Sequence, residues 1–452
     1  MKYIVAGTGI SGIGSAQLLL AHGFDVTVFD ENTSRDAAAV SEKILAGHPE
    51  WKNRLRIVLG KLDPADTEGA KACIMSPGIP GKAPFACALR EAGIPCISEI
   101  ELAYRLGKGR IAAITGTNGK TTTTALLGQI VTDAGLDGYT VGNIGNAYTG
   151  VVDKLTDESV CVIEVAGFHL ETIESFRPNV SAILNITPDH LDRFGTMEAY
   201  AAAKERIAEN QLADDVCVLN YEDERLREFA AGIRPRVLFF SSARELPEGG
   251  FMRGDELVIR LDGSEFVLCT TGDMKLLGRH NHENVLAAAL MALSLGIPVG
   301  SIRRSIADFN AVEHRIEYVL TRNGVDYYND SKGTNPDASV QAIRAMNRPA
   351  VLIAGGYDKH IEFDEWVKEL PGRVRHMVLL GACRQQIADT CDKYGYKDYS
   401  FADTFDGAVE AAIREARPGE AVLLSPACAS WDMFRSYEVR GRRFKELVRE
   451  KA

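Results

Sequence analysis

The chain has 452 residues, of which 46% are apolar, enough to give each of two to four domains its own buried core. Lysine and arginine total 51 against 62 aspartates and glutamates, and the net charge of −11 argues against a nucleic acid or an anionic membrane as partner, leaving anionic ligands to local loops. No apolar run approaches the roughly 20 residues of a membrane span, and nine scattered cysteines without C-x-x-C spacing point to reduced thiols in a cytoplasmic protein, with no disulfide framework and no zinc site.

The first segment, "KYIVAG", predicts a strand and leads straight into a Gly-rich turn, which is not the pattern of a signal peptide. "GIGSAQLLLAHG" predicts a helix closed by Gly23, and "DVTVFD" a second strand. Between strand and helix lies Gly7-Thr8-Gly9-Ile10-Ser11-Gly12, a formal G-x-G-x-x-G. Glycines let the backbone approach a diphosphate, and the helix N-terminus favours its charge. Asp30 ends the second strand about twenty residues on, where a ribose-binding acid would stand. This geometry serves any nucleotide diphosphate, so it predicts a diphosphate site without singling out NAD.

A second block opens near Ser98. "RIAAITG", "SVCVIEVAG" and "VSAILNIT" are apolar and β-rich, as buried parallel strands are. The first runs into Gly116-Thr117-Asn118-Gly119-Lys120-Thr121-Thr122 and then a helical pattern. This is a shortened phosphate-binding loop: backbone amides cradle the phosphates, Lys120 reaches the terminal ones, and Thr121 offers its hydroxyl to Mg²⁺. The next strand delivers Glu164 at its carboxyl end, where a metal ligand should project. The strand after it ends in Asp189-His190.

A third block opens near Val312 with "VDYYNDS", "AVLIAGG", "HMVLLG" and "AVLLSPA". Its strand ends place Lys332, Thr334, Lys359, Ser430 and Arg442 at one sheet edge, a pocket for a small anion such as an amino-acid carboxylate. Strand and helix alternate throughout, which predicts α/β domains with open parallel sheets and ligands at the carboxyl ends of strands.

Taken in order, these stretches resemble the Mur ligases, ATP-dependent amide-forming enzymes of peptidoglycan synthesis. The resemblance rests on "GTNGKTT", Glu164, "TPDH", "GRHNHEN" and "EHRIE". "GTGISG", "SPGIP", "VGNIG", "DHLDRFGTMEAYAAAKERI", "NDSKGTNPDAS", "GGYDK" and "SPACASWDMF" look like the branch that adds D-glutamate. The resemblance covers nearly the whole chain and implies three domains. Residues 1–98 form a Rossmann-like domain for the UDP substrate, 99–311 a central P-loop ATPase-type domain with a parallel sheet, and 312–452 a Rossmann-like domain for the amino acid. The implied substrates are ATP, D-glutamate and UDP-N-acetylmuramoyl-L-alanine (UDP-MurNAc-L-Ala), joined through an acyl phosphate by a cytoplasmic monomer with no nucleic-acid or membrane partner.

The resemblance also implies roles. The turn Thr8, Gly9, Ile10, Ser11, Gly12 takes the diphosphate, with Asp30 beside it and Ser76, Pro77 and Gly78 near the uracil; Asn143 contacts the substrate and phosphate region. Gly116 to Thr122 hold ATP, with Asn281 at adenine, Arg315 at the γ-phosphate and Asp330 at the ribose. Two Mg²⁺ are implied, one at Thr121 with Glu164, the other near Glu164 and His190. Lys204 matches a carbamylated lysine, whose modification turns a cation into an anion at the metal site and needs a neutral amine. Lys332, Thr334, Lys359, Ser430 and Tyr437 hold D-glutamate.

One departure stands out. The family often carries Glu-x-Ser-Ser-Phe-Gln-Leu-Glu, where this chain reads Glu164-Val165-Ala166-Gly167-Phe168-His169-Leu170-Glu171. Two hydroxyls are missing, and Gly167 is expected to allow a closer backbone approach. Alternatives are another Mur-type ligase, a folate polyglutamylating enzyme, an NAD-dependent dehydrogenase and a P-loop switch. The N-terminal UDP-type block disfavours the folate enzyme, "GTNGKTT" the dehydrogenase, and the amino-acid-binding block the switch.

Overall fold

Apolar strands alternating with helices form three sheets, and the computed structural model describes residues 1–310, 312–358 and 361–452, with Asp192 described by its backbone alone. The protein is α/β, and its chain groups into two compact units: residues 1–270 with 283–306, and residues 271–282 with 307–452.

The first unit holds two sheets. The N-terminal one contains β1 (Lys2–Ala6), β2 (Asp25–Asp30), β3 (Leu55–Leu59), β4 (Ala70–Met75) and β5 (Cys96–Ser98), all parallel, in the order β3-β2-β1-β4-β5. The chain leaves β1 toward β2 on one side and later returns to β4 on the other. The carboxyl end of β1 is therefore the switch point at which open α/β sheets bind ligands.

The central sheet contains β6 (Arg110–Thr115), β7 (Gly138–Gly142), β8 (Val160–Glu164), β9 (Val180–Ile183), β10 (Val216–Asn220), β11 (Arg236–Ser241), β12 (Gly249–Arg253), β13 (Glu256–Leu261) and β14 (Ser264–Thr270). Their order is β14-β13-β12-β11-β10-β9-β6-β8-β7. β6 lies between β8 and β9, so the loop that follows it opens at a second switch point. Ile111 to Thr115 are all buried, as a strand covered on both faces requires.

The sheets are not parallel throughout. β12, β13 and β14 form antiparallel hairpins, and Asp262 and Gly263 turn the second one with φ of 50° and 76°. Two residues with positive φ match the right-handed twist of the strands they join.

The second unit contains β15 (Glu317–Arg322), β16 (Val325–Asn329), β17 (Ala350–Gly355), β18 (Val374–Leu380), β19 (Tyr399–Phe401) and β20 (Ala421–Leu424), in the order β15-β16-β20-β17-β18-β19. β15 pairs antiparallel with β16 through another such turn, Asn323-Gly324. The carboxyl ends of β16, β20 and β17 are adjacent, which gathers the loops that follow them. No disulfide joins the nine cysteines; Cys73, Cys161 and Cys217 are buried, and Cys269, near the end of edge strand β14, is half-buried.

Candidate active site

β6 ends at Thr115, and Gly116 (φ 148°) and Gly119 (φ 85°) shape the loop that leads into the helix Lys120–Asp133. No side chain caps this helix, whereas Ser98, Thr196 and Asn335 cap the helices that start at Glu99, Met197 and Pro336. First-turn amides without a side-chain acceptor suit phosphate oxygens.

Residues that the sequence did not single out hold the loop. Asn118 N donates to Asn185 Oδ1 at 2.8 Å, and Asn185 Nδ2 donates back to Asn118 O at 3.2 Å. Thr117 Oγ1 accepts from Thr187 N at 3.0 Å and pairs with the Tyr200 hydroxyl at 3.1 Å. Asn284 stands so close that a Cβ on Gly119 would lie 2.3 Å from its Oδ1. Tyr200 precedes Lys204 by one helical turn, a signal the sequence did carry. Nothing in the sequence marks Asn185 apart from its place at a strand end.

Glu164 ends β8 beside Ile114 of β6 and Gly142 of β7. Its side chain is 2% exposed. Oε1 accepts from Asn143 Nδ2 at 3.0 Å, and the buried Oε2 has no protein partner. A buried carboxylate oxygen with no donor is costly unless it meets a cation. Hard oxygen donors at this position fit Mg²⁺.

The helix Met197–Glu205 lays Lys204 across the same loop. Lys204 Nζ donates to Gly116 O at 2.9 Å, and Lys120 Nζ donates to the same carbonyl at 2.9 Å. Burial, joined by the Lys120 charge and opposed by Asp189, pushes the Lys204 ammonium down to about 7. An amine of that kind is partly neutral near pH 7, the state that reacts with CO₂.

The strand expected to end in Asp189-His190 stops earlier, at Ile183, and His190 instead precedes the short helix Leu191–Phe194, with φ 51° and an exposed side chain. Its ring meets Phe168 edge-on at 4.9 Å, and Nε2 lies 3.5 Å from Asp189 Oδ2. Among the described residues, no hydrogen bond or ion pair joins it to Glu164 or Lys204. A Cβ at Gly167 would meet Phe194 at 3.4 Å and Lys204 Cγ at 3.8 Å, ordinary contacts, so packing does not require glycine there. His169 is buried and accepts from Ala166 N at 3.2 Å through Nδ1, bracing the turn after Glu164. Burial pushes its imidazole down to about 4, which keeps it neutral.

At the N-terminal turn, Gly7 has φ 102°, and a Cβ on Gly12 would stand 2.0 Å from Gly7 O. Helix and strand approach too closely for any side chain at Gly12. Gly9, which starts the helix Ile10–Ala21 with no side-chain cap, has open space where a Cβ would be. Asp30 is directed at the turn itself: Oδ2 accepts from Thr8 Oγ1 at 2.6 Å and Thr8 N at 3.1 Å, and Oδ1 from Asn32 N at 3.0 Å. Burial works to raise its carboxyl, but these hydrogen bonds outweigh it and hold it below the ordinary value. Ser76, at the end of β4, keeps a buried Oγ with no protein partner. Ile10 and Ser11 lie at the exposed start of the helix, and Pro77 and Gly78 follow Ser76 in the loop.

In the second unit, Asn281 Nδ2 donates to Leu277 O at 2.7 Å. Arg315 sits between two residues of positive φ, His314 (69°) and Ile316 (45°), and its Nε is buried without a partner. A β-branched residue in that region is strained. Asp330 is buried, with Oδ1 accepting from Ile316 N at 3.2 Å and Oδ2 from Ser425 Oγ at 2.7 Å. Burial pushes its carboxyl up to about 7, against those bonds and the charges of Arg315 and Arg440.

Lys332 Nζ lies 5.6 Å from the centre of the Tyr437 ring, Thr334 N donates to Lys332 O at 2.8 Å, and Ser430 is buried with a partnerless Oγ. Lys359 lies outside the described residues. The sequence pointed to Arg442, but that side chain is exposed; Arg440 is the buried one. Arg440 Nη2 donates to Ser331 O at 2.9 Å and Cys428 O at 3.2 Å, joining the loops after β16 and β20. It shares the inward face of the helix Tyr437–Lys451 with Phe444, Leu447 and Val448, a spacing that could have identified it. Glu313, His314 and Glu317 offer ligand atoms within 4.8 Å of one another, but Lys445 already bridges the two carboxylates at 2.5 and 2.9 Å.

Family profiles match the chain at residues 1–98 (Mur ligase MurD-like, N-terminal domain), 114–292 (Mur ligase middle domain) and 314–428 (Mur ligase, glutamate ligase domain). A protein of Lachnospira eligens named UDP-N-acetylmuramoylalanine–D-glutamate ligase is 50% identical over 446 residues, 98% of each chain. One of the same name from Lachnoclostridium phytofermentans is 46% identical, covering 99% of this chain and 97% of that one. Among solved structures, the UDP-N-acetylmuramate–alanine ligase of Thermotoga maritima matches 100% of this chain and 99% of its own with TM-score 0.59 at 18% identity. The MurF ligase of the same organism, in complex with ADP, matches 95% and 96% with TM-score 0.59 at 17% identity. At such identities these structures show a shared fold.

Proposed function

The chain belongs to the Mur ligase family, and from that premise we infer that it is the ATP-dependent ligase that joins D-glutamate to UDP-MurNAc-L-Ala in peptidoglycan synthesis, releasing ADP and phosphate. The observation that carries this reading is end-to-end likeness, at 50 and 46% identity, to proteins named for that reaction. The domain division 1–98, 99–311 and 312–452 and the residue roles below belong to the proposal. No helix among the described residues is long and apolar enough to cross a membrane.

The chemistry follows from what amide formation needs. A carboxylate is a poor electrophile. An oxygen of the L-alanine carboxylate attacks the γ-phosphorus of ATP, ADP leaves, and an acyl phosphate results. The free amine of D-glutamate, having lost a proton from its ammonium, attacks the carbonyl carbon. The tetrahedral adduct expels phosphate, which carries away the original carboxylate oxygen. Such catalysis is mostly positioning and charge neutralisation.

The loop Gly116–Thr122 would bind the phosphates, with Lys120 turned to the transferring group. Two Mg²⁺ would be held, one at Thr121 with Glu164 and the other near Glu164 and His190, and a carbamate on Lys204 would add an anionic partner there. Magnesium, when bound, neutralises charge developing on the transferring phosphoryl group. The partnerless Oε2 of Glu164 and the lowered Lys204 support these roles. The turn Thr8–Gly12, Asp30, Ser76–Gly78 and Asn143 would hold the UDP substrate. Asn281, Arg315 and Asp330 are assigned to the nucleotide, and Lys332, Thr334, Lys359, Ser430 and Tyr437 to D-glutamate.

Phosphate release measured with ATP, Mg²⁺ and UDP-MurNAc-L-Ala, adding D-glutamate, L-glutamate, L-lysine or meso-diaminopimelate in turn, tests this reading. Release and a new amide with D-glutamate alone are expected. Turnover with another amino acid would move the protein to a different step, and none at all would sink the ligase reading.

A further inference from the structure

Arg193 belongs to none of the residue sets above. It follows His190 by three positions, in the short helix Leu191–Phe194, and its side chain is 13% exposed. It reaches from the central sheet's loops to those of the N-terminal sheet. Nη1 donates to Pro77 O at 2.7 Å, and Nη2 donates to Ile79 O at 3.2 Å and to Glu171 Oε2 at 2.5 Å. The guanidinium lies 4.0 Å from the centre of the Phe168 ring. That ring stacks on Phe194 at 5.5 Å and meets the His190 ring edge-on.

We propose that Arg193 is a positioning residue for the ligation: its guanidinium fixes the substrate loop Ser76–Ile79 against the segment that carries His190. The inference rests on the functional reading above. Its two acceptors on the loop are main-chain carbonyls, so what it sets is the path of the backbone rather than one side chain. Ser76 is one residue away, with its buried, partnerless hydroxyl 2.6 Å from where a Cβ on Gly7 would be. Moving the loop therefore moves the Ser76 hydroxyl and crowds the diphosphate turn together. On the other side, Phe168 and Glu171 belong to the stretch that follows Glu164. One planar cation thus holds three segments: the substrate loop, the stretch after the metal-site carboxylate, and the His190 loop. A planar fork with several fixed donors can bridge two carbonyls and a carboxylate at once; a lysine ammonium on a flexible stem cannot hold the same geometry.

The test is steady-state kinetics of the full chain, wild type beside Arg193→Lys and Glu171→Gln, varying each of the three substrates in turn, with melting temperature and ATP affinity measured alongside. Arg193→Lys is expected to lower kcat/KM for UDP-MurNAc-L-Ala by about 10²-fold, the scale of an ångström-sized misplacement. KM for ATP and for D-glutamate should stay within about twofold. Glu171→Gln, which leaves the arginine in place but loosens it, should show a smaller loss of the same pattern, and the double variant less than the product of the two. If the wild type fails to join D-glutamate to the UDP substrate, the functional reading itself falls. If the wild type ligates and Arg193→Lys equals it, or loses all three substrates alike together with its melting temperature, the positioning role is overturned. Should Arg193→Lys not fold, Glu171→Gln decides by the same split.

Discussion

A lysine taken out of water and set beside a second ammonium gives up its proton more readily, and Lys204 is in that position. Its ordinary value is 10.5, and in the folded protein it is about 7, so raising the pH through 7 frees the amine. At constant dissolved ¹³CO₂, a carbamate carbon signal should therefore grow between pH 6 and 8 and be missing from Lys204→Gln; a pH-independent signal, or one that survives the substitution, would contradict the assignment. Asp330 shifts the other way. Burial raises it from 3.8 to about 7, so between those values the native state holds a proton that the unfolded chain has released. Its contribution to stability falls as pH rises through that window and stays low above it. Asp330→Asn can keep both hydrogen bonds, accepting from Ile316 N and donating to Ser425 Oγ. Its gain in stability over wild type should be small near pH 4 and reach ~2–4 kcal/mol above pH 7; equal gains at both pH values would show that the carboxyl is not held protonated. Neither shift could be read from the sequence, because each depends on burial by residues far along the chain. Lys204 entered the sequence reading through resemblance alone, and the physical reason for it came from its neighbours in space.

Strand ends, turns and helix starts were the most legible parts of the molecule. Each strand expected from an apolar run is present, because a strand buried on both faces must be apolar along its length. The antiparallel hairpins of β12–β14 and β15–β16 were not anticipated, although Asp262-Gly263 and Asn323-Gly324 carry the turn chemistry for them. The two glycines of the first turn separate structural from ligand-facing roles. Gly12→Ala would drive a methyl into Gly7 O and should cost about 1–3 kcal/mol in stability as well as binding of the UDP substrate. Gly9→Ala meets nothing in the protein and should melt like wild type while weakening that substrate alone. Calorimetric melting and binding of the two variants test this, and equal melting temperatures for both would contradict the close helix–strand approach. The loops themselves were half legible. Lys120 and Glu164 stood out by type and place, and Tyr200 was marked only by its spacing from Lys204, but Asn185 and Asn284, which also hold the phosphate loop, are of a type common anywhere on a surface.

For the whole molecule, the order of its motifs said more than any one of them. The Gly-x-Gly turn alone admitted a dehydrogenase and the phosphate loop alone admitted a switch; their succession, followed by the amino-acid block, left a ligase. The family relationship agrees with that order from end to end. The central claim is that ATP activates the substrate's carboxylate, and the fate of one oxygen tests it most directly. UDP-MurNAc-L-Ala labelled with ¹⁸O in the alanine carboxylate is turned over with ATP and D-glutamate, and the released phosphate is weighed by mass spectrometry. One ¹⁸O per phosphate, with an amide of D-glutamate formed in equal amount, is the predicted result. Unlabelled phosphate alongside the amide would mean that the carboxylate is never phosphorylated, and the account would be wrong at its centre.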